Sequence, residues 1–486
     1  MHALEILAGT IDVLCLYLVI LRCWRSGFCL LMAYLPFGGA VTLALNLWQP
    51  SLLFKDIFLV APTYVGFVGE SMGRKHLLRG FPRSIAYLII CLAALAVLQT
   101  GNPGVVNKMM ALIGLKVWLF YIPMAFVTYT YLDSSKKLLN LCRLLVLLSF
   151  LPVAVSLVQL HLVSTIGYRG AMDASYGQAA AQTTQMFSVF QIDGGSLGRI
   201  PSIFTFAAQF FGFCLSILVP SYIVWRTDRS HRWRCIGCLA FLGAAGASFI
   251  SGVRAAFVFT PAIVLLTFTL DRGLMGLVKG IGWAVLVALI VLPGLLGIAI
   301  TDMYQLVAQL FANYGREVAY GGLIQALHSA PLGMGTGTNT GAARYALNDP
   351  SAFVGIENYY AKSLYELGLA GGLIVAALFL AIIVVGFKVR AGAKLAEFRC
   401  WASALLAFFL VMFLNSFKGW LLDLDPVNVY YWVFCGLLLK LPILQETSIK
   451  ELQARNTLMP QAGRVAVRAH ALDKRMPIVA DPSVAS

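Results

Sequence analysis

Apolar residues fall in runs of about 20, divided by short charged connections, from near the first residue to about residue 444. A run of that length crosses hydrocarbon as a helix rising 1.5 Å per residue. Roughly thirteen segments fit: 3–21, 26–45, 51–69, 84–100, 105–131, 138–166, 200–225, 235–252, 255–270, 280–300, 364–387, 399–417 and 427–444. The pattern predicts an all-α polytopic integral membrane protein with about 12–14 transmembrane helices. It occupies residues 1–444, and a basic, solvated, disordered tail follows over 445–486. Two stretches do not span. Residues 167–199 are rich in Gly, Ala, Gln and Ser, and residues 301–363 form a long loop between late helices. Long loops inside a compact domain usually carry function.

Composition agrees. Of 486 residues 60% are apolar and only 12% charged, which excludes a soluble globular enzyme and a disordered chain. Lys and Arg exceed Asp and Glu by 15. In a polytopic protein such an excess marks cytoplasmic connections and does not indicate nucleic acid. The connections at Arg22 to Arg25, Arg74 to Arg83, Lys136-Lys137, Arg226 to Arg234, Arg272 to Lys279 and Lys388 to Arg399 hold most of it, as does the tail. They alternate with the other set, so residues 167–199 and 301–363 face outward. Glu5 and Asp12 stand where a cleavable signal has basic residues, so the first run is expected to remain as a helix. The basic tail is placed to touch anionic headgroups.

Candidate chemistry lies on the external side. Arg199 closes the first external stretch, Arg254 sits in the apolar 'FISGVRAAFVF', and Arg316 opens a helix-like element over 315–329 that Pro331 ends. Arginine near the membrane core costs about 3 kcal/mol on insertion scales and usually marks function. Three guanidinium groups suit a diphosphate, which they grip in bidentate fashion. Glu357, at the start of a membrane-entering helix, has two readings: a residue favoured by the helix dipole, or a general base for a hydroxyl. Gly333, Gly335, Gly337 and Gly341 form a conformationally demanding turn without the Lys-Ser/Thr ending of a nucleotide loop. Lys362 and Glu366 are spaced to pair along a helix, and Lys55-Asp56 to neutralise each other. Lys116 has no evident partner, and no His/Cys/carboxylate group has metal-ligand spacing.

Three stretches together resemble the O-antigen ligase and Wzy-type polysaccharide polymerase superfamily, over roughly residues 195–375. 'GRIPSIFTFAAQFFGFCL' carries Arg199 ahead of a Ser-Phe turn and a helix. 'FISGVRAAFVF' carries Arg254 in a helical hairpin, with Val253 and Ala255 where the family has Ser and Gly. 'GREVAYGGLIQALHSAPLGMGTGT', followed by 'ENYYAKSLYELGLAGGL', carries Arg316, Tyr320, Pro331, Gly333, Gly335, Glu357, Asn358, Tyr360, Glu366 and Gly368. Glu357 stands where ligases often have His.

The resemblance implies a GT-C-like, metal-independent glycosyltransferase of the bacterial inner membrane, without a cofactor and with its active site facing the periplasm. Its donor would be a glycan on undecaprenyl diphosphate. In a polymerase for exopolysaccharide, capsule or O-antigen the growing chain moves to the next lipid-linked repeat, and a chain-length-regulating co-polymerase is a natural partner. In a ligase it moves to lipid A-core. A lipid-linked oligosaccharide flippase is the alternative of a different class. The expected roles are diphosphate stabilisation by Arg254 and Arg199, proton removal by Glu357, and substrate binding by Arg316, Asn358, Tyr320, Tyr360, Gly333 and Gly335.

Overall fold

The computed structural model describes residues 15–45, 53–72, 78–177, 189–192, 195–295, 320–341 and 355–473. Arg316 and most of the first span fall outside the described residues, as do Asp193, Asp302, Glu317 and Asp349. The chain is an all-α, multi-pass membrane protein. Among the described residues, eight helical segments are long and apolar enough to cross a bilayer.

In chain order the helices are α1 (Trp24–Tyr34), α2 (Gly38–Ala44), α3 (Ala61–Met72, preceded by a π-helical turn Asp56–Val60), α4 (Arg83–Gln99), α5 (Lys108–Leu119), α6 (Met124–Tyr131) and α7 (Ser135–Tyr176). They continue with α8 (Ala207–Thr227), α9 (His231–Ile250), α10 (Ala256–Arg272), α11 (Leu274–Leu295), α12 (Gly322–Ser329), α13 (Tyr359–Ala391), α14 (Ala396–Asn415) and α15 (Val427–Asp473). Each apolar run read from the sequence beyond residue 25 corresponds to one of these, or to a pair joined end to end such as α1–α2 and α5–α6.

Three boundaries differ from the sequence reading. The span expected over 200–225 begins at Ala207, because Pro201 and the left-handed Ser202 (φ 56°) hold residues 199–206 out of the helix. The first external stretch is not all loop: α7 runs on to Tyr176 across a break at Gly167, and a two-stranded antiparallel hairpin pairs Val189–Ile192 with Gly195–Gly198. The backbone of α15 is helical from Val427 to Asp473, through residues 445–473 of the stretch read as a tail.

Burial follows composition. Helix α8, 'AAQFFGFCLSILVPSYIVWRT', is apolar on all sides, and a helix of that kind must be enclosed. It is the central pillar, 89% buried across its apolar window and packed against α7, α9, α10, α14 and α15. Helices α8, α10 and α13 run one way and α9 and α14 the other, so their ends gather at two poles. One pole is basic. There Arg143 grips Asp228 through two hydrogen bonds of 2.7 and 2.9 Å, Arg390 Nε donates to Leu270 O, and Trp401 Nε1 donates to Thr227 Oγ1. Asp271 lies among Arg226, Arg272 and the Tyr222 hydroxyl. The other pole carries the site.

The glycine-rich turn belongs to the packing of that second pole. Residues 331–335 lie along a break in α13 at Gly368 (φ 76°), where Leu369 N donates to Pro331 O, Met334 N to Tyr365 O and Gly335 N to Glu366 O. A Cβ on Gly333 would come within 2.7 Å of Gly368 N, and one on Gly368 within 2.7 Å of Leu332 C. Backbone meets backbone here, which only glycine permits. Gly333 and Gly335 are thus occupied in joining this turn to α13 and α4. Asn102 Nδ2 reaches Gly333 O at 2.9 Å, and Gln99 Nε2 reaches Leu332 O at 2.8 Å.

A cationic cluster with one carboxylate

Arg199 and Arg254, 55 positions apart in the chain, are brought together by a glycine. Helix α9 ends at Ile250 and α10 begins at Ala256, so Arg254 lies in the tight connection of a helical hairpin. Ser251 Oγ donates to Ser248 O, and Ser248 Oγ lies 2.8 Å from Thr260 Oγ1, stitching the two arms together. At the bend Gly252 is left-handed (φ 66°), and a Cβ placed there would sit 2.8 Å from Gly198 O and 3.1 Å from Arg199 Cα. The Arg199 backbone is held from its other side by the Tyr168 hydroxyl, which donates to Arg199 O at 2.9 Å. Gly252→Ala therefore must push the Arg199 segment away. With a 1 Å misplacement able to cost about 10²-fold, turnover is expected to fall by about tenfold or more, with membrane insertion, read by protease protection, unchanged.

Beyond Arg199 the chain is fastened in an unfavourable backbone region. Ser202 Oγ donates to Pro152 O, Ser202 N donates to Gln159 Oε1, and Ser202 O accepts from Gln159 Nε2 and from the Tyr176 hydroxyl. A non-glycine residue at positive φ persists only where its surroundings over-determine it, and such residues cluster at functional sites.

The carboxylate arrives from α13. Asn358, expected to bind substrate, is the helix N-cap: its Oδ1 accepts from Tyr360 N and Ala361 N at 2.9 and 3.2 Å. Glu357 is one residue outside the helix and exposed. Tyr359 N donates to Ser416 O at 2.9 Å, docking the connection after α14 onto this helix start. That contact brings in Lys418, which the sequence reading did not single out. The Lys418 ammonium is held down to about 8, first by burial and then by the neighbouring Arg199 and Arg254 charges, while Glu357 pulls it back up. Four charged groups thus lie within electrostatic reach of Lys418 or at it: Arg199, Arg254, Glu357 and Lys418 itself. A usable signal existed in the sequence, because a lysine directly after a span whose end the loop-charge pattern directs outward runs against the positive-inside bias.

The remaining candidates lie elsewhere. Tyr360 is buried, its ring on Phe413 and Phe417 and its hydroxyl donating to Phe413 O. Tyr320 is 70% exposed, just before α12. Lys362 and Glu366 do not pair with each other as their spacing suggested. Lys362 points to Asp423. Glu366 instead accepts from Trp118 Nε1 (2.6 Å), Asn339 N (2.8 Å) and Thr340 Oγ1 (2.9 Å), tying the glycine-rich turn to α13 from within. Asn339 adds a two-way clasp on the Ile356 backbone. Helix spacing lost because each side chain found a better-shielded partner across the bundle.

Lys55 and Lys116 also find their places. Asp56 Oδ1 lies 2.8 Å from Lys55 Nζ and its Oδ2 2.5 Å from Lys116 Nζ; the Tyr121 hydroxyl donates to Asp56 Oδ1 at 2.7 Å, and Asp425 Oδ2 lies 3.2 Å from Lys55 Nζ. What read as a self-neutralising pair is half of a balanced network of two lysines and two aspartates.

No protein-family profile matches the chain, and no curated protein matches it in sequence.

Proposed function

We propose that the chain is a polysaccharide polymerase of the bacterial inner membrane. It transfers a growing glycan from undecaprenyl diphosphate to the next lipid-linked repeat on the periplasmic face, with the C-terminus in the cytoplasm. One observation carries this reading: Arg199, Arg254, Lys418 and Glu357 gather at one pole, opposite the basic connections that the positive-inside rule assigns to the cytoplasm. The resemblance of the motifs around Arg199, Arg254 and Glu357 to the polymerase and ligase superfamily supports the same chemistry.

The acceptor hydroxyl oxygen attacks the anomeric carbon, and the bond from that carbon to the diphosphate oxygen breaks. The departing diphosphate keeps the bonding electrons. Charge grows on its oxygens, where preorganised cations act most strongly because they need no reorganisation. Arg199 and Arg254 supply planar donors suited to paired phosphate oxygens, and Lys418 a compact third charge. The acceptor proton passes to Glu357, whose exposure leaves it open to an incoming hydroxyl. Product leaves as a glycan one repeat longer on its lipid, together with undecaprenyl diphosphate. A co-polymerase that sets chain length is a compatible partner.

The purified protein in nanodiscs, given lipid-linked repeats, is expected to yield a ladder of longer chains. Transfer only to lipid A-core would make it a ligase. Unchanged carriers with movement of the lipid-linked glycan between leaflets would make it a flippase, although a cationic cluster gathered at one pole is poorly placed for access from both sides.

Lys418 makes donor binding sensitive to alkali. Its amine, titrating near 8, is charged below that pH and neutral above it, so affinity for undecaprenyl diphosphate is expected to fall by about tenfold per pH unit above 8. Lys418→Arg should remove the fall. The empty protein behaves oppositely. Between about 8 and the ordinary lysine value of 10.5 the folded state holds fewer protons than the unfolded one, so this group's contribution to stability rises with pH. Donor binding measured from pH 7 to 10 in both forms checks the assignment, and a slope retained in Lys418→Arg rejects it.

A further inference from the structure

Helix α12 presents three different surfaces around its axis. At about 3.6 residues per turn, Gly322, Leu323 and Ala326 share one side, and they pack among Ile356, Ala361 and Leu364 at the start of α13. Tyr320, in the turn leading into the helix, shares a second side with Ile324 and Leu327. These are exposed, Ile324 by 53% and Leu327 by 43%. Gln325, His328 and Ser329 share the third side, which is exposed as well and polar throughout. The outward surface of α12 is thus itself divided into an apolar and a polar sector.

The apolar sector adjoins a surface that faces lipid. From Leu369 to Phe387 α13 holds no polar residue. It rises about 28 Å over that length, nearly the whole of an about 30 Å hydrocarbon core. Along it Leu373, Leu380 and Val384 are exposed, which in a bilayer-crossing helix means contact with acyl chains. The break at Gly368 therefore stands at the edge of the hydrocarbon, on the side of the pole that carries the site. Leu369 N donates to Pro331 O at that edge. Leu332, 85% exposed, and the end of α12 at Ser329 thus lie where lipid chains meet headgroups.

Leaving the apolar sector in water forfeits the gain that burial of its surface would bring, while burying the polar sector in hydrocarbon would strand Gln325, His328 and Ser329 without water. Only a boundary between the two media suits both. Tyr320, at the end of the apolar sector away from Leu332, fits the headgroup level, where an amphipathic ring is at home. We propose that α12 is an interfacial helix: its apolar sector and Leu332 seat in the leaflet on the site's side, its polar sector stays in water, and its third side docks on α13. The partner is the bilayer itself. Ala326 packs beside Ile356, the residue before Glu357, so this seat holds the Glu357 segment at the membrane surface. The proposal goes beyond the polymerase reading and stands without it.

The test uses the full-length protein in nanodiscs of phosphatidylethanolamine and phosphatidylglycerol. The photo-reactive residue p-benzoylphenylalanine is placed in turn at Leu327, Leu332, Gln325 and Ser329, and at Leu373 to set the yield of a site in hydrocarbon. Irradiation followed by mass spectrometry of the peptides is expected to show phospholipid adducts at Leu327 and Leu332 close to the Leu373 yield, and about tenfold lower yield at Gln325 and Ser329, since an interfacial helix buries its apolar face by only about 5–10 Å. Adducts at Leu327 and Leu332 that join only protein, whether this chain or a second copy, overturn the proposal. So does an equal lipid yield at all four positions, or none at any of them. The unaltered protein gives a second reading that no substitution can disturb. Hydroxyl radicals generated in water should label His328 and spare Ile324 and Leu327, after correction for intrinsic reactivity. Equal labelling of the three places the apolar sector in water and rejects the interfacial helix.

Discussion

On the polymerase reading, Arg254→Ala and Arg199→Ala are each expected to abolish visible polymer, with transfer slowed by about 10²–10³, the usual loss when one preorganised donor to a developing charge is removed. The protein still inserts, because the hairpin that carries Arg254 is held by Ser248, Ser251 and Thr260 and not by the guanidinium. Arg254→Lys keeps the charge but loses the planar fork, so an intermediate rate is expected. The checks are the polymer ladder on a gel and single-turnover release of undecaprenyl diphosphate. Near-normal chain length in either alanine variant removes the diphosphate role from that residue. The two losses should also fail to add. Gly252 packs the Arg199 backbone against the hairpin bearing Arg254, and groups that act as a unit lose most of their effect at the first deletion. A double variant is therefore expected to be scarcely worse than either single one.

Glu357→Gln is expected to slow the proposed chemical step by about 10²-fold or more, the lower end of what a positioned base contributes, while donor affinity changes little or improves. The sign of the second effect follows from charge: the carboxylate lies within electrostatic reach of Lys418, one of the cations proposed to bind the diphosphate, so neutralising it removes a repulsion toward the incoming anion. A base is thereby separated from a substrate-holding residue, whose loss would show in binding and leave the bound donor to react at the normal rate. Lys418 offers a second readout, because Glu357 is the charge that holds its ammonium up. In Glu357→Gln the alkaline fall in donor binding should begin at lower pH.

Much of this was legible before any coordinates. Helices were, because hydrocarbon tolerates no unpaired backbone and each crossing needs its own unbroken apolar run. The bend near Gly252 and the stop at Pro331 were as well, since each depends on a residue whose backbone preference is local. Arg199, Arg254 and Glu357 stood out because charge in or beside an apolar run is expensive enough to demand a reason. Other features were hidden by partnership. Lys362 and Glu366 had ideal spacing for each other, yet each turned to a partner far away in sequence, Asp423 and Trp118. Gly333 and Gly335 read as part of a conformationally demanding turn, and only the packing shows that the turn meets the break in α13 backbone to backbone. Lys418 was a single lysine in a short connection, and only the hydrogen bond from Tyr359 N to Ser416 O places it beside Glu357.

The amino-acid order alone settles that this chain lives in a membrane as a bundle of helices, since transfer of apolar surface out of water acts run by run and needs no knowledge of neighbours. Which charges come to influence one another was decided only on packing. Residues 199, 254, 357 and 418 are far apart in the chain, and they come within electrostatic reach of Lys418 only once α8, α9, α10, α13 and α14 have closed around one another.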